Sequence, residues 1–414
     1  MSTTIKIAKI SILTLSFLAW MTIFSVVILK NIELLALRPE AATTDVDIST
    51  FWSAAVFAWN GAHLAAFDLD AMRALQANAS TGGAFVYPWL YPPAVMLILM
   101  PLGALSFINA WIALVIGSLL VLRAALRKFS HPYETLSFLV LFSPATLYCG
   151  LRGQLTMLLA AALLMGFANL IRGRELRSAA WMSLVTLKPQ ICLVLPVALA
   201  VSRSWSLMAF GLAFILVLSV VPLLILGLGY WAEWLNALEA QAAWLESVKA
   251  QQDGFFTPEA FSMYSMTWEA FFVNLGLEQL AGRLQWVFGL LMLSAMTAVW
   301  AAKGSSPELR ASALLFSMIG ASPYAWSYEV LFPLLGALVL VQVTWTARGR
   351  PRYGCWMAGM SAALFLAVWF GPLVRLGEQP ISVAMMPLCL AGLTLALILS
   401  RTSACADGES ARQP

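Results

Sequence analysis

The feature that most constrains this chain is a succession of apolar runs close to the length of a bilayer crossing, about 20 residues, punctuated by small clusters of Lys and Arg. A soluble domain cannot hide so many such runs. Hydrophobic residues make up 61% of the chain and charged residues 11%, with a mean hydropathy of +0.84, so the composition agrees with the pattern. At 414 residues the chain has room for about twelve spanning helices and little extramembrane domain. It reads as an all-α polytopic membrane protein.

The positive residues give the orientation, because Lys and Arg collect on the cytoplasmic side of short loops. Lys6 and Lys9 precede the run at 10–29, which is too long for a signal-peptide core and lacks a small-residue cleavage pattern. The N-terminus is therefore expected inside and the loop at 31–91 outside. That loop carries Asp45, Asp47, Asp68 and Asp70 among Trp and Phe residues, and its Ala-rich stretches suggest short amphipathic helices lying on the membrane. Arg127 and Lys128, then Arg172, Arg174 and Arg177, then Arg348, Arg350 and Arg352 mark successive cytoplasmic turns. The proline-bearing piece at 92–105 is short, and one crossing before Arg127 suffices if it is re-entrant. Irregular backbone at membrane depth needs a protein-lined or watery cavity around it. A second outer segment is expected at 229–281, rich in Trp as an interfacial aromatic belt would be. Residues 1–401 form one domain in this reading, and 402–414 form a polar, disordered cytoplasmic tail.

The net charge of +4 comes from these orientation clusters, which excludes a nucleic-acid role. Five cysteines without CxxC spacing and two histidines indicate neither a zinc site nor a disulfide framework. No compact acidic cluster calls for a metal, and no cofactor is expected. The unusual polar residues, by contrast, fall at the outer ends of helices: Asp47, Arg152, Gln154, Lys188 and the turn at 322–329. Ionisable groups near membrane depth cost about 2.5 to 3.5 kcal/mol each on insertion scales and mark pathways or sites. Each also has a plain structural use, as an N-cap or solvated loop residue for Asp45 and Asp47, a helix connection for Arg152 and Gln154, or a snorkelling side chain for Lys188. On physical grounds Asp45 and Asp47 are equivalent.

Asp47, the aromatic pair Phe51–Trp52, the small Ala54 and Ala55, Asn60-Gly61 and Phe67-Asp68 follow one another in the first loop. Further on come Tyr91-Pro92-Pro93 with Pro101-Leu102, Gly153-Gln154 before a helix closed by Arg172-Gly173-Arg174, Lys188-Pro189, and Ser322-Pro323 with Trp326. This order resembles the polyprenol-phosphate-mannose-dependent mannosyltransferases of glycosyltransferase family 87, over most of 47–333. The resemblance implies a GT-C type bundle with a long first extracytoplasmic loop. It also implies transfer of a hexose, mannose in the family, from a polyprenyl-phosphate sugar donor to a lipid or glycan acceptor hydroxyl. Transfer would take place on the outer face of a bacterial inner membrane, with inversion.

On that resemblance Asp47 is chosen over Asp45 as the catalytic base, since the aromatic-pair spacing follows it. Lys188, with Arg152 second, would meet the donor phosphate, whose charge grows as the bond breaks. Gln154, Tyr91, Trp326, Tyr328 and Glu329 would line the substrate site. The family commonly has histidine just after the late Trp, where this chain has Tyr328 and Glu329. Two other kinds of protein share such an architecture: a secondary transporter of about twelve helices, and an oligosaccharide ligase of similar fold. The acid-bearing first loop and the lack of two similar halves argue against the transporter.

Overall fold

The computed structural model describes residues 47–79, 88–129, 134–250, 262–347, 355–373 and 380–410. The expected first helix at 10–29, Asp45 and the basic residues Arg348, Arg350 and Arg352 lie outside them. Within the described residues the chain is helical, with a single isolated bridge pairing Ser265 and Trp326.

The first loop supplies α1 (Ile48–Trp59), a 3-10 turn (His63–Phe67) and α2 (Leu69–Ala79). Then come α3 (Pro93–Leu99), a 3-10 turn (Met100–Ala104) and α4 (Phe107–Phe129). The middle of the chain holds α5 (Glu134–Leu141), α6 (Pro144–Arg152), α7 (Thr156–Leu170) and α8 (Glu175–Ser183), with a 3-10 turn (Leu184–Leu187) running into α9 (Pro189–Cys192) and α10 (Val194–Val201). After these follow α11 (Trp205–Ala250), α12 (Trp268–Val273), α13 (Glu278–Ala301) and α14 (Pro307–Gly320). A 3-10 turn (Ser327–Val330) leads into α15 (Leu331–Ala347), α16 (Cys355–Phe370) and α17 (Ile381–Ser410). The last helix runs on to Ser410, into the stretch read as a polar tail.

Six of the described helical stretches are long and apolar enough to cross a membrane: Phe107–Phe129, Trp205–Ala240, Glu278–Ala301, Ser327–Thr346, Trp356–Leu373 and Ile381–Thr402. Shorter apolar pieces stand between them. α3 and the 3-10 turn after it reach only from Pro93 to Ala104, about 20 Å at the rises of the two helix types, against a hydrocarbon core of about 30 Å. By itself this piece is shorter than a straight crossing of the hydrocarbon core.

α1 is not the surface helix expected of the first loop. Ile48, Phe51, Ala54 and Ala55 are fully buried, and α1 packs against α3, α4 and the turn between them. Lipid supplies no hydrophobic drive between helices, so association rests on close packing of small residues. Gly103 shows how close the packing is, because a Cβ there would stand 2.2 Å from the Ala55 carbonyl oxygen. Trp52 adds a hydrogen bond to the Leu105 carbonyl at 3.0 Å. α2 is the more amphipathic helix, with Met72 and Gln76 buried and Arg73 paired to Asp70 in solvent. Asp68 accepts from the amides of Asp70 and Ala71 and so starts α2.

The apolar stretch that α5 opens is broken at Ser143-Pro144. Pro144 lacks an amide hydrogen to continue α5, and Ser143 instead caps α6 by accepting from the Thr146 amide at 3.1 Å. α11 is likewise two helices joined at Gly227, whose φ of 83° and ψ of 168° are open to glycine alone. Past this kink, Tyr230 accepts from the Trp89 indole at 2.7 Å, and Trp234 donates to the Leu90 carbonyl at 3.1 Å. The two outer segments expected from sequence therefore meet around Trp89–Tyr91, and these aromatics are structural partners rather than a belt alone.

Candidate functional site

The site begins at the joint of α6 and α7. α6 ends at Gly153, which takes the left-handed conformation (φ 65°) and turns the chain so that the Gln154 amide returns to the Cys149 carbonyl at 3.0 Å. The indole of Trp111 on α4 donates to the Gly150 carbonyl at 2.8 Å and fixes this end of α6. Ile48, the first residue of α1, is seated on Gly153, where a Cβ would come within 2.5 Å of the Ile48 Cβ. Asp47, the N-cap residue of α1, is thereby held near Gly153 and within electrostatic reach of Tyr91. Its side chain makes no cap hydrogen bond, so the plain N-cap role is not the one it fills.

Tyr91 reaches the same joint from the first loop. Its hydroxyl lies 3.4 Å from Gln154 Oε1, and its ring stands edge-on to Phe51 at 4.8 Å. Burial pushes the Tyr91 phenol well above its ordinary pKa, and the negative charge of Asp47 pushes it further, against the hydrogen bond to Gln154; Glu329 adds to the rise. Tyr324 is raised to about 12, again first by burial, with Glu329 and Asp47 contributing. Both phenols keep their protons at neutral pH, and Asp47 and Glu329 lie within electrostatic reach of both.

Two distant turns close the other side. Lys188 falls between a 3-10 turn and α9, where Pro189 excludes helical geometry for the residue before it. In the late turn, Ser322 accepts from the Tyr324 amide at 3.2 Å, and its hydroxyl lies 3.4 Å from the Gln190 carbonyl. Met266 donates to the Ala325 carbonyl at 2.7 Å. The turn carries Glu329 to Lys188, and the two form an ion pair with side chains 0% and 4% exposed. The second carboxylate oxygen of Glu329 accepts from the Trp326 amide at 2.8 Å, and the Lys188 ammonium lies 4.5 Å from the centre of the Tyr328 ring. Lys188, expected to face the donor phosphate, already has a carboxylate partner.

Arg152 is less enclosed. Its Nε donates to the Tyr148 hydroxyl at 3.3 Å, and its guanidinium faces the rings of Tyr148 and Tyr264 at 5.5 and 6.0 Å. Tyr148 also accepts from Ser327 at 3.0 Å, and Cys149 Sγ lies 2.9 Å from the Tyr328 carbonyl. α6 is thus tied directly to the late turn. Ring contact at 5.7 Å places Trp326 against Tyr324.

All eight candidate site residues therefore belong to one neighbourhood, built from the start of α1, the approach to α3, the α6–α7 joint, the Lys188 turn and the late turn. Tyr148, Tyr264 and Tyr324 belong to it too. Nothing in the sequence singles out Tyr148 or Tyr264, whose place depends on which helices pack together. Two buried polar atoms at the α6–α7 joint have no hydrogen-bond partner among the described residues: Gln154 Nε2 and Thr156 Oγ1. No group of three His, Cys, Asp or Glu side chains suited to a metal occurs among the described residues.

The far end of α7 is different in kind. There Arg172 donates to the Ala168 carbonyl and to the Lys128 carbonyl at 3.0 Å, drawing together two of the basic clusters that sequence places on one side of the membrane. The cleft beside it is lined by residues 173–177 and holds none of the candidate residues. Site and basic cluster lie at opposite ends of α7.

A family model described as Glycosyltransferase family 87 matches residues 89–323. The matched stretch contains Tyr91, Arg152, Gln154 and Lys188, and it stops short of Asp47 on one side and of Trp326, Tyr328 and Glu329 on the other. No curated protein and no solved structure matches.

Proposed function

This chain belongs to glycosyltransferase family 87 and is a membrane glycosyltransferase; from that premise we propose that it moves a hexose, mannose first, from a polyprenyl-phosphate donor to an acceptor hydroxyl with inversion. The acceptor is a lipid or glycan, and the reaction takes place at the outer face of the membrane, in bacteria the inner membrane. The observation that carries this reading is the convergence of Asp47, Tyr91, Gln154, Arg152 and the Lys188–Glu329 pair at one end of α7, opposite the Arg172–Lys128 end. Glycosyl transfer from a phosphate is served by a carboxylate and a cation near each other, and Asp47, Glu329, Arg152 and Lys188 supply both kinds of group there.

In the reaction the acceptor oxygen attacks the anomeric carbon and the bond from that carbon to the phosphate oxygen breaks. The phosphate leaves with the electron pair, and Asp47 takes the acceptor proton as general base. The products are the glycoside and polyprenyl phosphate. A phosphate leaves already charged, so no general acid is required, and a cation of the cluster stabilises the charge that develops. Tyr91 offers its phenol to a sugar hydroxyl and Gln154 its amide to the donor, with the Trp326 ring as an apolar wall. Tyr328 and Glu329 both lie against Lys188.

The test supplies purified protein with labelled polyprenyl-phosphate-mannose and a panel of lipid acceptors, beside an Asp47→Asn variant. Loss of a general base lowers transfer by about 10²- to 10⁴-fold. Equal transfer by the two proteins removes Asp47 from this role. Transfer from a different polyprenyl-phosphate sugar in preference to mannose revises the donor while leaving the chemistry in place.

A further inference from the structure

We infer that the donor phosphate is held at the joint of α6 and α7, by the Arg152 guanidinium, the Gln154 side-chain amide and the N-terminus of α7, and that Lys188 is a structural counter-ion to Glu329. The inference rests on the transfer reading above and assigns its anion subsite.

Lys188 is the less suitable cation for three reasons. Its side chain is 4% exposed and its charge is matched by Glu329, itself 0% exposed. The Glu329 carboxylate is anchored to the turn that carries it, through the Trp326 amide, so it is not placed to swing aside for a ligand. An anion arriving at Lys188 would meet that fixed carboxylate in a medium that screens poorly, and like charges there repel. A buried pair of this kind fastens one turn to another, here the turn before α9 to the turn before α15.

The α6–α7 joint offers a different set of groups. Arg152 presents a planar fork that suits two phosphate oxygens at once. Gln154, 1% exposed, has a side-chain nitrogen without a partner among the described residues, and so has the hydroxyl of fully buried Thr156. A buried amide donor left unpaired costs free energy unless something accepts from it. The helix that follows is 15 residues long and its N-cap residue, Leu155, gives no side-chain cap. Its first amides and its dipole therefore favour an anion at this end. A positive side chain, an orphaned buried donor and an uncapped helix start within five residues define a phosphate subsite. Tyr91 holds the far end of Gln154 and keeps the amide nitrogen turned away from itself.

The test measures binding rather than transfer, using the full chain in detergent with geranyl phosphate as probe and geraniol as its uncharged control. Wild type is expected to bind the phosphate at least tenfold more tightly than the alcohol. R152Q and Q154E are each expected to lose that preference, the latter because it keeps the oxygen facing Tyr91 and replaces the amide nitrogen by an anionic oxygen. The double variant K188M/E329L, which removes the ion pair as a unit, is expected to keep the preference within about threefold, since replacing both partners of a buried pair is tolerated where removing one is not. Unchanged binding in R152Q and Q154E overturns the assignment and leaves the orphaned donor to a bound water. Loss of the preference in the folded double variant also overturns it and returns the phosphate to Lys188. Should K188M/E329L fail to fold, R152Q and Q154E still decide the matter. If wild type does not distinguish geranyl phosphate from geraniol, the donor reading itself falls, a result distinct from all of these.

Discussion

Gly153→Ala is the substitution whose cost the geometry predicts most completely, because Gly173 provides a matched control. Both glycines lie in the left-handed region, at φ 65° and 67°. An L side chain pays about 1–2 kcal/mol for that conformation, so both variants share this term. They differ in what the new methyl meets. At Gly173 there is nothing within 4 Å, whereas at Gly153 the Ile48 Cβ lies at 2.5 Å, with Cγ2 at 3.1 Å and Cγ1 at 3.2 Å. Ile48 cannot rotate its Cβ away, since that atom is fixed by its own backbone, so α1 must shift. Overpacking of this kind costs about 1–3 kcal/mol. Gly173→Ala should then destabilise by about 1–2 kcal/mol and Gly153→Ala by about 2–5 kcal/mol. The assay is unfolding of the two purified variants and wild type in mixed micelles, read by far-ultraviolet circular dichroism. Function adds a second, independent contrast: movement of α1 carries Asp47 away from Arg152 and Gln154, and a misplacement of about 1 Å costs about 10²-fold in rate. Gly173→Ala should transfer sugar at the wild-type rate. Equal destabilisation of the two variants, or equal activity, would refute the claim that the Ile48–Gly153 contact sets the site.

Tyr148→Phe removes the hydroxyl that receives Arg152 Nε and Ser327 Oγ; a loss of about 1.4 kcal/mol, or tenfold, is expected in donor KM with kcat less affected, as steady-state kinetics at varied donor will show. Ser143→Ala strips the N-cap from α6 and should lower stability by about 1 kcal/mol, measurable in the same unfolding assay, where unchanged stability would deny the cap. Lys188→Met alone leaves the Glu329 carboxylate buried without its counter-ion and should destabilise by about 3–5 kcal/mol, most of which K188M/E329L regains; a double variant as unstable as the single one would deny that the pair is a unit.

The features legible in the sequence are those fixed by local rules. Membrane class follows from hydropathy, and the family from the order of Tyr91-Pro92, Gly153-Gln154, Lys188-Pro189 and Ser322-Pro323. Each of those pairs combines a residue that interrupts helix with a polar one, so each marks an interruption in the membrane-embedded chain, and the structure brings their polar members together. Local rules do not reveal which interruption meets which. Lys188 and Glu329 stand far apart in the chain, and a lysine near an interface reads as snorkelling until its partner is known. The burial of α1 was hidden for a similar reason. Its Ala-rich pattern looks amphipathic, yet it is covered by α3, α4 and the turn holding Gly103, and pattern alone does not say what covers a face. The breaks at Ser143-Pro144 and Gly227 lie inside or at the end of apolar runs, where hydropathy is silent.

The charges of the site can now be taken as a set. Asp47, Glu329, Arg152 and Lys188 sum to zero, and Glu329 and Lys188 cancel within the buried ion pair. The other two, Asp47 and Arg152, directly precede the two residues of the Ile48–Gly153 contact. Inverting transfer needs the base and the leaving group on opposite faces of the anomeric carbon, with the base close to the acceptor and the cation close to the phosphate. A third charge that could approach either one would shift that balance as the transition state forms. Locking Lys188 onto Glu329 removes it while keeping two helix interruptions joined at membrane depth, where an unpaired ammonium or carboxylate would be far more costly. On this argument the pair is tuned by what it withholds from the substrate. Restoring a lone cation by Glu329→Gln should therefore tighten the grip on polyprenyl phosphate, the product of the proposed reaction, and slow its release. A burst of transfer followed by a slower steady rate in that variant would bear this out, and linear progress at the wild-type rate would refute it.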